Sequence, residues 1–164
     1  MKKKISRISS LEKKYINEVL NNSFRSSKNS LMTKKFENEF AKIYNSKYAI
    51  SFTNGTATMH ACLEALNIGI GDEVIVPPLT MASTSMAVLH ANATPVFADI
   101  DPDTFLINPK EIEKKITPRT KAIITVSLYG LSPKMDEIKK IAKKNKIFII
   151  EDNAEAFLSF FKNK

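Results

Sequence analysis

From about residue 48 onward, short apolar runs alternate with amphipathic stretches, and this rhythm restricts the possible folds more than any other feature. Runs at 48–52, 74–76, 95–98, 122–127 and 147–150 are rich in Val, Ile, Ala and Phe and read as strands. Helical periodicity fills the intervals at 56–67, 80–92, 109–116 and 134–145. The third of these opens with Asn108 as a capping residue and Pro109 at the first helical position, where its missing N–H costs nothing. Strands that are apolar throughout, rather than alternating, are covered on both faces. The pattern predicts an α/β fold over 48–164, with a mostly parallel, doubly wound sheet.

Residues 1–47 read differently, as a basic N-terminal helical segment. Ser9 and Glu12 have the spacing of a capping box, and Leu11, Tyr15, Ile16, Val19 and Leu20 follow on one helical face. A polar loop at 25–30 separates this helix from a second one marked by Phe36, Phe40, Ile43 and Tyr44. The segment carries 12 Lys or Arg against 4 Asp or Glu, which is the whole of the net charge of +8. A basic arm suits nucleic acid or phosphorylated ligands. No nucleic-acid motif accompanies it, so a solvated helical face is expected, with no nucleic-acid partner. Its aromatics, Tyr15, Phe24, Phe36, Phe40 and Tyr44, are expected in a core. No apolar run is long enough to span a bilayer, and no hydrophobic signal region follows Met1-Lys2-Lys3-Lys4. The single Cys62 excludes an internal disulfide and fits a reducing compartment, so the expectation is a cytoplasmic protein without a membrane partner.

In a doubly wound sheet ligands bind beyond the C-terminal ends of the strands. The 48–52 run passes through Asn54-Gly55-Thr56-Ala57 directly into a helix. Gly55 permits close backbone approach, Thr56 is expected to cap the helix, and free N–H groups at such a helix start make a seat for phosphate. The spacing is neither that of a Walker loop nor that of a dinucleotide fingerprint. An ordinary capped turn would look the same. The last run ends in Glu151-Asp152, whose carboxylates suit a metal, a ribose hydroxyl or a protonated heterocycle. Together the two features suit opposite ends of one cofactor.

These segments carry a resemblance. Thr53-Asn54-Gly55-Thr56-Ala57-Thr58-Met59-His60 resembles the "SGTAALH" segment of the DegT/DnrJ/EryC1/StrS aminotransferases. Gly69-Ile70-Gly71-Asp72-Glu73-Val74-Ile75-Val76-Pro77 is similar to that family's "GxGDEVIVP". Ala93-Thr94-Pro95-Val96-Phe97-Ala98-Asp99-Ile100-Asp101 resembles "ATPVFVDID", and Glu151-Asp152-Asn153-Ala154-Glu155-Ala156 resembles "EDxAxA". Four motifs in the family's order are specific where one would not be.

The resemblance implies part of a fold-type-I large domain that binds pyridoxal 5'-phosphate. By matched position, the backbone at Gly55, Thr56 and Ala57 would hold the cofactor phosphate. Asp152 would pair with the pyridine nitrogen and keep it protonated, the electronic condition for its catalytic role. Glu155 falls where the family places a polar residue near the ring. Met81 falls where it usually stacks an aromatic, and a thioether also packs on a π face. Ser127 and Tyr129 are candidate pocket-wall residues.

The reaction implied is transfer of an amino group, commonly from glutamate, to a nucleotide-linked keto-sugar in polysaccharide or amino-sugar biosynthesis, by a homodimer. The family's Schiff-base lysine is expected a few tens of residues past the "EDxAxA" motif, beyond Lys164, and neither Lys162 nor Lys164 is assigned that role. The chain is thus expected to lack the small C-terminal domain and to be inactive alone. One alternative is a non-catalytic cofactor-binding or pairing partner of a full-length relative. Another is a metal-dependent nucleotide-sugar glycosyltransferase using Asp99 and Asp101. No metal is expected under the leading reading, and His60, His90 and Cys62 are expected in packing roles.

Overall fold

The computed structural model describes residues 8–21, 31–159 and 161, and the chain divides into two compact units, Met1–Ser51 and Phe52–Lys164. The expected loop at 25–30, Phe24, Lys162 and Lys164 lie outside the described residues.

The first unit holds helices α1, Ser10–Asn21, and α2, Leu31–Ile43. The capping box forms as its spacing suggests: the Ser9 N–H donates to Glu12 Oε2 at 2.6 Å, and the Leu11 N–H donates to Ser9 Oγ at 3.1 Å. Lys35 Nζ sits over the Tyr15 ring, 4.5 Å from its centroid, and ties the two helices together. Neither helix buries a side chain fully, and Phe36 and Tyr44 are exposed, which corrects the expected aromatic core. Two helices alone have too little surface to enclose one. The expected strand at 48–52 does not form either. Tyr48 and Ile50 are exposed, and the Ser51 N–H and hydroxyl both donate to Glu37 Oε1, at 2.8 and 2.9 Å. An apolar run becomes a strand only where another strand takes its backbone groups, and here a side-chain carboxylate takes one of them.

The second unit runs α3 (Gly55–Ala65), β1 (Glu73–Val76), α4 (Ser83–His90), β2 (Thr94–Phe97), α5 (Pro109–Lys115), β3 (Thr120–Val126), α6 (Met135–Asn145) and β4 (Phe148–Asp152). The four strands are all parallel, in the order β2-β1-β3-β4. Central β1 is fully buried, whereas β2 and β4 at the edges are partly exposed. Pro95, which has no ladder N–H to give, sits on edge strand β2.

Strand alternation divides the core in two. Val74, Val76, Ala122 and Ile124 pack against Met59 and Leu63 of α3 and Ala87 and Val88 of α4. Ile75 and Ile123 point the other way, toward Ile112 of α5 and Ile138 and Ile141 of α6. The sheet is therefore wound on both faces, as the apolar runs require. Asn108 caps α5 by accepting the Lys110 N–H at 3.0 Å, with Pro109 at the start of the helix.

At the opposite edge from the candidate site, Glu73 begins β1 nearly buried and accepts from the Thr117 hydroxyl and from Arg119 Nε, the latter at 2.9 Å. The Thr117 hydrogen bond first, and then the Arg119 guanidinium, hold the Glu73 carboxyl below the usual carboxylate range. A depressed folded-state value means that the stabilisation is complete above the unfolded-state value and is lost as pH falls through the lower, folded one. Glu73→Gln is expected to unfold at a lower temperature than wild type at neutral pH. The difference should narrow in acid below the ordinary carboxylate range, and paired melting curves across pH check it.

Candidate functional site

β1 leads outward through α4 to β2, and the chain then returns to the other side of β1 as β3. Such a reversal marks the place, beyond the C-terminal ends of β1 and β3, where open parallel sheets take ligands. The turn between α3 and β1 takes only residues 66–72, so α3 runs antiparallel to β1 and its N-terminus lies at that same edge. α3 packs against both α4 and β4.

The start of α3 is a donor surface. Asn54, not Thr56 as expected, is the N-cap: its Oδ1 accepts the Ala57 N–H at 2.9 Å. Asparagine outranks threonine at that position, so the sequence carried a signal for it. The bond commits the Ala57 N–H to the cap. The Gly55 and Thr56 N–H groups have no protein acceptor among the described residues, and the first turn holds no acidic side chain. Around Gly55 the space where a Cβ would stand is open. Two free donors at the positive end of an 11-residue helix fit a phosphate group.

Asp152 is the last residue of β4, in register with Val126 of β3. Its Oδ1 accepts the Ala154 N–H at 3.1 Å, and its main-chain oxygen accepts the Ser127 N–H at 3.1 Å. Asp152 is half-buried, and its second carboxylate oxygen has no protein donor among the described residues. That leaves one acceptor at the site edge for a ring N–H. Met81 stands between β1 and α4 at the same edge, 70% exposed, so its thioether is free to lie on a ligand ring.

Glu155 is already engaged, since its Oε2 accepts the Tyr129 N–H at 2.7 Å. Ser127, nearly buried, donates from its hydroxyl to Asn153 Oδ1 at 2.8 Å, and nothing in the sequence pointed to Asn153. Tyr129 is 85% exposed at the same edge.

Asp99 and Asp101 serve the turn before α5. Asp99 Oδ1 accepts the Ile100 N–H at 2.8 Å, and Asp101 Oδ1 accepts those of Asp103 and Thr104 at 3.1 and 3.3 Å. Lys134 Nζ stands 3.6 Å from the other Asp101 oxygen. Asp101 is thus spent on backbone and lysine, whereas Asp99 is exposed and keeps one carboxylate oxygen unpartnered among the described residues. Cys62 is half-buried, and His60 Nε2 lies 3.2 Å from Glu64 Oε1, with its ring 5.9 Å from that of His90 on α4.

A parallel sheet wound on both faces, with anion donors at one helix start and an acid at a strand tip, defines a cofactor-binding α/β domain. The chain belongs to the DegT/DnrJ/EryC1/StrS aminotransferase family, whose sequence profile matches residues 6–164. It is 46% identical over 153 residues to GDP-perosamine synthase of Escherichia coli O157:H7, covering 93% of this chain and 42% of that protein. The aminotransferase from Psychrobacter cryohalolentis superposes with a TM-score of 0.86 at 39% identity, over 91% of this chain and 38% of that one. GDP-4-keto-6-deoxymannose-3-dehydratase, solved with a trapped PLP-glutamate geminal diamine, superposes at 0.88 with 32% identity, over 98% and 42% of the two chains. The chain thus spans about two fifths of the length of such relatives. Its parallel α/β fold is that of part of the fold-type-I large domain. Among the described residues, no helix is long and apolar enough to cross a membrane.

Proposed function

We propose that this chain forms the cofactor-binding part of a pyridoxal-phosphate-dependent aminotransferase acting on a nucleotide-linked keto-sugar. The observation that carries this reading is the half-satisfied Asp152 carboxylate at one strand tip, at the same sheet edge as the two free N–H groups of α3. The donor set fits the cofactor at both ends. Gly55 and Thr56 hold the phosphate through main-chain donors and the helix dipole. Asp152 would accept a hydrogen bond from a protonated ring nitrogen and so keep the proton there, and Met81 would lie against the ring. When bound, the protonated ring withdraws electrons from the substrate carbon that gives up its proton.

The protein's own residues supply orientation and charge. The main-chain bond from Ser127 fixes the Asp152 backbone, and the Ala154 N–H holds one carboxylate oxygen so that the other points to a single place. The nucleotide-linked sugar, glutamate as amino donor and assembly as a homodimer are the substrates and state that the family resemblance supports. A cytoplasmic location follows from such soluble substrates.

Binding affinities test the reading. The chain is expected to bind pyridoxal 5'-phosphate at least about tenfold more tightly than pyridoxal, since charge-assisted bonds to the phosphate are worth about 1.5–3 kcal/mol. Absorbance titrations with the two ligands measure the ratio. Equal affinities would remove the phosphate seat from the account.

A further inference from the structure

Beyond the β3–β4 ladder, the two chains stay joined by side chains. Ser127 Oγ donates to Asn153 Oδ1, and two residues on the Tyr129 N–H donates to Glu155 Oε2 at 2.7 Å. Between these ties the short 3-10 turn Leu128–Gly130 contains Tyr129 at φ 52 and ψ 27, the left-handed region that an aromatic side chain rarely occupies. Tyr129 is 85% exposed, so burial of its ring does not stabilise that backbone. Gly130 follows at φ 83. Strain of this kind persists only where surrounding contacts over-determine it. Two backbone bonds close the turn, from the Gly130 N–H to the Ser127 oxygen at 3.2 Å and from the Leu131 N–H to the Leu128 oxygen at 3.1 Å, and Glu155 adds the side-chain acceptor on the Tyr129 N–H between them.

We infer that Glu155 is a positioning residue: one oxygen of its carboxylate clamps the turn after β3 in the left-handed form and so fixes the tip of β4 that carries Asp152. This rests on the cofactor-binding reading above and assigns Glu155 a role that the family resemblance does not. The turn and the tip are mechanically one piece, because the Ser127 N–H bonds the Asp152 main-chain oxygen just before the two side-chain ties. What the clamp needs is an acceptor of the right reach. A charge is not required.

Three variants of the 164-residue chain separate these requirements. Glu155→Gln keeps an acceptor at full reach without charge, Glu155→Asp keeps the charge but is too short, and Glu155→Ala keeps neither. Amide hydrogen exchange at Tyr129 and Ala154 is read without ligand, and the affinity for pyridoxal 5'-phosphate is read beside it. Loss of one such bond is expected to speed exchange at Tyr129 by about tenfold in the Asp and Ala variants. Ala154 should follow in the same direction, cofactor affinity should fall with it, and the Gln variant should match wild type in exchange at both amides. Unchanged exchange in both the Asp and Ala variants would overturn the clamp. So would Asp and Ala variants that exchange faster at both amides yet keep wild-type affinity, since the clamp would then not position the site. If wild type binds no cofactor, the cofactor reading fails, and joint exchange at Tyr129 and Ala154 still decides whether the clamp exists. General unfolding of the Ala variant is recognised by lost protection throughout β3, and the Gln and Asp pair then carries the decision.

Discussion

Asp152→Ala is expected to lower transamination turnover by at least about 10²–10³-fold, the range for removing one preorganised electrostatic partner of a transition state. The unfolding midpoint should move little. The measurement requires an enzyme of the relatives' full length, for which the remaining portion of the Escherichia coli synthase can be joined behind residue 164. Asp152 contributes to folding mainly by accepting the Ala154 N–H, one partly solvated hydrogen bond worth about 1 kcal/mol. Under the proposed function its larger effect would be electronic: without an anion opposite the ring nitrogen, the ring would not be held protonated. Asp152→Asn should fall between wild type and Ala, because an amide oxygen accepts the ring N–H without stabilising the positive charge. Normal turnover in Asp152→Ala would remove this residue from the site.

The second large effect is structural. Ile124 is fully buried on β3, a central strand, where it meets the α3–α4 layer through Leu63 and Val88. Ile124→Ala removes buried methyl groups and leaves a cavity that flanking strands on both sides cannot collapse, so the expected cost is about 2–5 kcal/mol. Phe148→Ala on edge strand β4 is the comparison. Its side chain is 52% exposed, and the loss should be markedly smaller. Denaturant midpoints of the two variants against wild type check the ordering. Similar losses at both positions would mean that β3 is not the packed centre of the sheet.

The α/β class, the parallel arrangement and four of the five strands were legible in the sequence because residues 73–152 are locally consistent. Apolar runs, amphipathic helices and the Asn108–Pro109 start all point to the same fold. The failures have separate causes. The run at 48–52 has strand composition, but its backbone found a partner in Glu37, and no local pattern encodes such a long-range acceptor. The aromatics of α2 have helical spacing, which shows a shared face and not what covers it. In the site, Asp152 and Gly55 stood out because a strand-end acid and a glycine before a helix each have a stereochemical reason. Asn54 was within reach of the same reasoning, since capping preferences already favour asparagine over threonine. The engagement of Glu155 by a main-chain N–H was not. It depends on Tyr129 taking a left-handed conformation that tyrosine composition argues against.

The central claim is that one ligand bridges the start of α3 and the tip of β4. Amide chemical shifts of the isotopically labelled chain, followed while pyridoxal 5'-phosphate is added, test it most directly. The account predicts saturable shifts at Gly55 and Thr56, with matching shifts at Asp152 and Ala154 along the same binding curve, and none at the phosphate end when pyridoxal is used instead. Shifts confined to lysine-rich surfaces, or movement at α3 without movement at Asp152, would contradict it.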